Sequence, residues 1–325
     1  MLQATAFWVD EPGVGVLRSE PVEDPRDGEV LVRTLHTGVS RGTETSVFGG
    51  RVPASERTRM RAPFQEGDFP GPVKYGYLNV GTVERGPAAL EGRTVFTLYP
   101  HQSAFVVPAD VVVPLPQGVP ARRAVLAGAV ETAVNILWDA GPLIGDRLTV
   151  VGGGMIGCAV ARLANGIIGA DVTLVDIDPS RKAVADRLGV DFAEPGRAPG
   201  DRDIVINTSG SDAGLQLALE TVVTDGEVIE AGWYADRPVT LRLGEDFHSR
   251  RLTIRSSQVG AVSRRRRDSR STGDRLALAL RLLRDPGFDA LLTAESSWRE
   301  LPRVMARLAA GATNDLCHTI DWGDA

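Results

Sequence analysis

Residues 148–157 read LTVVGGGMIG, an apolar run that enters Gly152-x-Gly154-x-x-Gly157 and continues into CAVARLANGI, a stretch with helical pattern. Further on, a second apolar run, VTLVD, ends in Asp176. Each of these residues suits one task in holding a dinucleotide. Gly152 permits a tight turn, and Gly154 lets backbone approach a pyrophosphate. Gly157 lets the helix pack close to the strand, and Asp176 accepts hydrogen bonds from a ribose diol. The unpaired N–H groups of Met155, Ile156 and Gly157 at the helix start suit phosphate oxygens. A carboxylate at 176 repels a 2′-phosphate, so NAD is favoured over NADP. Arg181 either softens that repulsion or contacts the adenosine ribose.

The elements that must position this turn alternate along the middle of the chain. Strand-like LTVVG, VTLVDID, DIVINTSG, GEVIEAGWY and RLTIRSSQVG are separated by helix-like CAVARLANGI, RKAVADRLG and LQLALETV. Such alternation specifies a doubly wound parallel sheet with helices on both faces, a Rossmann arrangement. The carboxyl ends of its strands carry Ser209-Gly210, Gly232-Trp233 and Ser257-Gln258, where ligands of such sheets bind. Before it lie short β-like runs broken by Gly and Pro, among them EVLVRTLHTGV, VGTVERG, RTVFTLY and SAFVVPADVVVPLP. They predict a compact, partly barrel-like β domain. One helix is expected over ARRAVLAGAVETAVNILWDAG, and a last helix and the strand LCHTIDW close the chain.

The 325 residues suggest two compact units, and 43% hydrophobic content is ordinary for a chain that builds real cores. A net charge of −6 argues against nucleic acid as the main partner. No apolar run reaches membrane-spanning length and no secretory leader is evident, so a cytoplasmic protein without a membrane partner is expected. Two cysteines, Cys158 and Cys317, exclude a four-cysteine metal site. The basic run SRRRRDSR at 263–270 reads as a solvated turn.

Order and motifs together resemble the medium-chain dehydrogenase/reductase superfamily, which contains zinc alcohol dehydrogenases and quinone oxidoreductases. The resemblance implies an α/β protein. It would comprise a GroES-like β-rich substrate domain over 1–120, a Rossmann domain over 121–260, and a segment 261–325 returning to the first domain. It also implies a homodimer joined along a sheet edge near 251–260. The zinc positions of the family are altered. Its Cys-containing segment reads Gly38-Val39-Ser40-Arg41-Gly42-Thr43-Glu44, with Ser40 or Arg41 at the ligand position. Its Gly-His-Glu segment reads Gly76-Tyr77-Leu78, and a third ligand position falls on Gly128. A catalytic zinc needs three N, S or O ligands that can lose a proton, so no metal is expected. The Ser-x-Gly-Thr-Glu pattern and the closing Ile320-Asp321-Trp322 are most similar to the bacteriochlorophyllide a dehydrogenase branch. That branch oxidises a secondary alcohol; nothing in the residues identifies the pigment.

Without a metal, hydrogen-bond donors and a proton relay must serve a developing alkoxide. The resemblance places Thr43 at a proton-shuttling hydroxyl and Tyr77 at a vacated ligand position. There Tyr77 either donates a phenolic hydrogen bond or fills the space. Glu44 and Arg41 offer an ion pair that orients Tyr77 or is structural only. Tyr99 matches an aromatic lining the substrate pocket, Thr132 a residue beneath the nicotinamide, and Ser209-Gly210 a loop crossing it. His101, two residues past Tyr99, is either an imidazole base for the proton or a loop bystander. Arg59 and Arg61 belong to an arginine-rich segment over 51–74 that either clamps an anionic substrate or forms a salt-bridged lid. The expected function is zinc-independent, NAD-dependent interconversion of a small-molecule secondary alcohol and ketone. An enoyl or quinone reductase and a non-catalytic dinucleotide-binding protein are the alternatives.

Overall fold

In a computed structural model, which describes residues 2–325, the chain divides into two compact units. The first comprises Met1–Gly128 and Leu292–Ala325, the second Ala129–Leu291. The sequence places the divisions at 120 and 260. The helix Thr272–Leu282, beyond the second of these, packs within the second unit because Arg275 binds Glu131 and Asn135 there.

In the first unit the chain opens on a hairpin, Leu2–Glu11 against Val14–Val22. It pairs further with Val73–Lys74 and then Glu66–Gly67. A seven-stranded sheet runs in the order 292–297, 317–321, 29–40, 79–85, 94–97, 113–114, with Ala104–Pro108 also on the Glu29–Ser40 strand. Val30, Val32, Val83, Val95, Phe105 and Val107 point inward from these strands and make one apolar cluster. Alternate residues of a pleated strand share a face, which is why the valines of 30 and 32 meet. A helix, Arg41–Phe48, follows directly from the longest strand. It was not expected from RGTETSVF, whose Gly42 and two threonines are poor helix formers.

The second unit holds six parallel strands in the order 191–193, 171–175, 147–151, 204–207, 227–230, 253–256. Numbered along the chain this is 3-2-1-4-5-6, the doubly wound order. Its direction reverses between Arg147–Val151 and Ile204–Asn207. Leu148, Val150, Leu174, Val205 and Ile206 are fully buried, as strands covered by helices on both faces require. The expected single helix over 121–141 forms as Ala121–Ala124 and Ala127–Ala140. The Leu126 N–H bonds to the Arg123 carbonyl, a tighter turn that buries both Val125 and Leu126. Burial pushes both cysteine thiols up to about 12, so neither is a nucleophile near neutral pH. No described helix is long and apolar enough to cross a membrane.

Candidate functional site

In the second unit the glycine turn lies at the reversal point of the sheet. Gly152 has φ +104°, which a side chain would strain, and a Cβ there would meet the Ser209 nitrogen at 2.6 Å. At Gly157 a Cβ would meet the Gly152 carbonyl oxygen at 1.8 Å, so the helix Met155–Ala164 packs this close only with glycine. Gly154, between them, has nothing within 4 Å of the same construction. That open backbone caps the helix without any side-chain acceptor, leaving the N–H groups of Met155 and Ile156 to a ligand. An anion suits this place.

Asp176 stands beside the turn. Its Oδ2 accepts from the Gly153 N–H at 2.5 Å and its Oδ1 from the Asp178 N–H at 2.8 Å. Each oxygen keeps lone-pair capacity for a diol. Ile177 is 85% exposed next to it, an apolar surface for a flat ring. Arg181 is buried under the turn, its Cγ 3.2 Å from a Gly153 Cβ, and lies 3.7 Å from the Asp178 carboxylate.

The next strand ends form a network that the sequence did not reveal. Asn207 donates to Glu230 at 2.7 Å, and the Tyr234 hydroxyl donates to the same carboxylate at 3.1 Å. Ser209 Oγ donates to Asn207 Oδ1 at 2.8 Å, and the Gly232 N–H to Glu230 at 2.6 Å. Burial raises the Glu230 pKa, against these donors, which pull it down. Ser209, Gly210 and Trp233 therefore stand on a fixed rim. Ser257 is on that edge too, with its hydroxyl on Asp139 at 2.6 Å. Thr132 is partly exposed on the helix Ala127–Ala140.

The first unit holds a second polar cluster, one of several sets of buried polar side chains there. Glu44 and His101 are 2% and 1% exposed. His101 Nε2 lies 2.7 Å from Glu44 Oε2, and its Nδ1 lies 2.7 Å from Thr37 Oγ1. The other Glu44 oxygen accepts the Ser40 N–H at 2.7 Å, and Thr37 Oγ1 accepts the Trp322 indole N–H at 3.0 Å. An ionised carboxylate only accepts, which assigns a proton to Nε2. At Nδ1 the Thr37 hydroxyl can donate or accept. The contacts from Trp322 through Thr37 and His101 to Glu44 and Ser40 hold the imidazole in one orientation.

Tyr77 keeps some solvent contact while its phenol end is enclosed. Burial first, and the Glu44 carboxylate second, push the phenol well above its ordinary pKa. Hydrogen bonds with the Ser40 and Thr43 side chains pull it back in part. The phenol thus stays protonated and can donate. Glu44 is committed to His101 and Ser40, so the Arg41–Glu44 ion pair offered by the sequence does not form. His101 is a positioned member of the cluster and not a loop bystander.

Other expected residues lie elsewhere. Tyr99 is in the apolar cluster of the first unit, its ring stacked on Phe105 at 3.7 Å between centroids. Arg61 is spent on Asp68 at 2.6 Å and on the Gln65 and Gly67 carbonyls, and Arg59 on Glu56 at 3.2 Å. At the zinc positions, Ser40 and Tyr77 offer only neutral hydroxyls. A side chain at Gly128 would meet Leu78 Cδ2 at 2.6 Å. This donor set does not fit a zinc ion.

No family model matches the chain. L-threonine 3-dehydrogenase of Rhizobium rhizogenes is 30% identical over 119 residues, 34% of this chain, and that of Mesorhizobium japonicum is 33% identical over 119 residues. The match spans only 33% of the length of each relative. Over the whole fold, L-idonate 5-dehydrogenase of Escherichia coli superposes with a TM-score of 0.80 at 15% identity, covering 98% of both chains. Acetophenone reductase of Geotrichum candidum, solved with NAD, gives 0.77 at 18% identity, over 99% of this chain and 98% of that one. 2R,3R-butanediol dehydrogenase of Bacillus subtilis gives 0.76 at 16%, over 98% and 99%. The chain has the fold of the medium-chain, alcohol dehydrogenase-like proteins, a GroES-like domain and a Rossmann domain.

Proposed function

We propose that the protein is an oxidoreductase that interconverts a secondary alcohol and a ketone with NAD(H), without a catalytic zinc. The observation that carries this reading is the open glycine turn at the reversal point of the sheet, with Asp176 beside it. Gly154 and the first N–H groups of its helix would hold the pyrophosphate, and Asp176 the adenosine ribose. Arg181, drawn under the turn toward Asp178, gives little support to a 2′-phosphate, which favours NAD. The bound nicotinamide would accept or give the hydride.

The chain's own task is the proton. Tyr77, kept protonated by burial, would hydrogen-bond a substrate oxygen in the reducing direction. The Ser40 and Thr43 hydroxyls beside it offer the path by which its proton is replaced. The Glu44–His101 pair holds the helix Arg41–Phe48, and with it Ser40 and Thr43, in register with Tyr77.

Titration of the protein with NADH, followed by nicotinamide fluorescence, tests the cofactor part. Saturable binding is expected, about tenfold or more tighter than NADPH. Gly157→Ala should weaken it by at least about tenfold, because the new methyl group displaces the helix start. Asp176→Ser, which leaves the turn glycines in place, should narrow the preference between the two cofactors. Equal binding of both, unaffected by Asp176→Ser, would remove the assignment.

A further inference from the structure

The strands of the second unit have two edges, and only the carboxyl edge is used by the dinucleotide reading. Two loops enter the amino edge, 141–146 before the strand Arg147–Val151 and 165–170 before the strand Asp171–Val175. They are tied together by the Gly145 N–H on the Ile168 carbonyl at 3.1 Å and the Asp171 N–H on the Asp146 carbonyl at 3.0 Å. Their tips present Leu143 at 70%, Ile144 at 75% and Ile168 at 76% exposure. Three large branched side chains at such exposure on adjoining loops form a patch, which scattered surface apolar residues do not.

A groove beside these loops is lined by Trp138, Leu143 and Ile167 together with Arg265 and Arg266. These arginines belong to the run Arg264–Arg267, followed by Arg270, all exposed. Among the described residues none of the five has a carboxylate within ion-pair distance, although many arginines elsewhere in the chain do. Asp268 is the acidic residue within the run. Asp274 is taken up by Ser271 in a helix cap, with Arg270 and Arg281 acting on it. Of the carboxylates on the amino edge, Asp146 accepts the Leu143 N–H, Asp171 pairs with Arg202 and Asp203 with Arg147, while Asp201, which acts on Arg147, and Asp191 are exposed. In a chain of net charge −6, the corner where the run Arg264–Arg267 meets the loop 141–146 places cationic and apolar side chains together.

We propose that the amino edge of this unit docks on an anionic lipid bilayer. Leu143, Ile144 and Ile168 enter the acyl region, and the arginines of 264–267 meet headgroup phosphates. Peripheral membrane contacts combine buried apolar side chains with attraction of basic residues to anionic headgroups. A nucleic acid would satisfy the arginines but offers no apolar phase for the three aliphatic side chains. The expectation of no membrane partner rested on the lack of a spanning segment, and a surface contact needs none. The carboxyl edge, with Gly154 and Asp176, lies at the other end of the strands and stays in water.

Co-sedimentation of the full chain with phosphatidylcholine vesicles, with and without phosphatidylglycerol, tests this. Binding at low salt is expected to be at least about tenfold stronger on the anionic vesicles and to fall as salt rises. Ile144→Ser with Ile168→Ser should lower it about tenfold. Arg265→Gln with Arg266→Gln should lower it and flatten the salt dependence, with melting temperatures showing that both variants fold. Equal recovery on both vesicle types, or binding indifferent to both variants, would overturn the proposal. So would salt-dependent binding to a short DNA duplex with none to vesicles. Sedimentation velocity in which the apolar variant turns a dimer into a monomer would overturn it too, by assigning the patch to a second copy.

Discussion

Arg275→Leu is expected to destabilise the second unit by about 3–5 kcal/mol, the cost of breaking a buried ion pair from one side. The guanidinium is 2% exposed. It donates to Glu131 at 3.0 Å, to Asn135 at 2.6 Å and to the Val259 and Ala261 carbonyls at 2.5 and 3.2 Å. Leucine fills part of the volume but leaves a carboxylate and two carbonyls without their donor. The loss should depend on pH. Burial already raises the Glu131 pKa above its ordinary value, with Arg275 acting against it, so removing Arg275 raises it further. A carboxyl raised in the folded state contributes its full stability while protonated, below its unfolded value of about 4.3. It loses that stability as pH rises through the folded value. Denaturant unfolding should therefore show a larger deficit at neutral pH than under mildly acidic conditions. Adding Glu131→Leu should recover part of it. A loss under about 1 kcal/mol that does not change with pH would contradict this account of the pair.

The largest effect on activity is expected from Tyr77→Phe. Phenylalanine keeps the ring and its packing but removes the hydroxyl bonded to Ser40 and Thr43. Losing one preorganised donor to a developing oxyanion costs about 10²- to 10³-fold in turnover. The fall should appear in kcat with little change in KM, because the hydroxyl acts in the transition state more than in the ground-state complex. Unchanged kcat for Tyr77→Phe would mean that the ring only fills the space of a lost ligand. Trp322→Phe probes the same cluster from its far end. It removes the N–H on Thr37, and the nitrogen shifts of His101 report directly which ring nitrogens carry protons.

What could be read in advance divides along physical lines. The parallel sheet was legible because its strands are continuous apolar runs between amphipathic helices, and because Gly152, Gly154, Gly157 and Asp176 lie within one strand–helix–strand unit. The helix Arg41–Phe48 was not, since its formation depends on tertiary support: Glu44 reaches back to the Ser40 N–H and across to His101. That pair joins residues 57 apart in sequence, and the Thr37 contact residues 64 apart, so no local motif announces either. The one available sign was the closing Trp322, which turns out to donate into the same cluster. Glu230 and Asn207 lay hidden for the same reason: each ends a strand, and only the sheet order brings them together. Arg275 ties its helix to Glu131, 144 residues earlier, a contact that no local pattern near 260 announces.

The proposed chemistry is hydride transfer to NAD with the proton handled by side chains and no zinc. Its most direct test is NAD reduction, followed at 340 nm, by protein dialysed against a strong chelator and checked for metal content, with a panel of secondary alcohols and the reverse reaction on their ketones. Turnover of at least one alcohol–ketone pair should survive chelation and should not increase with added zinc. Activity that disappears with the chelator and returns with zinc would contradict it. So would NADH binding without turnover of any member of the panel.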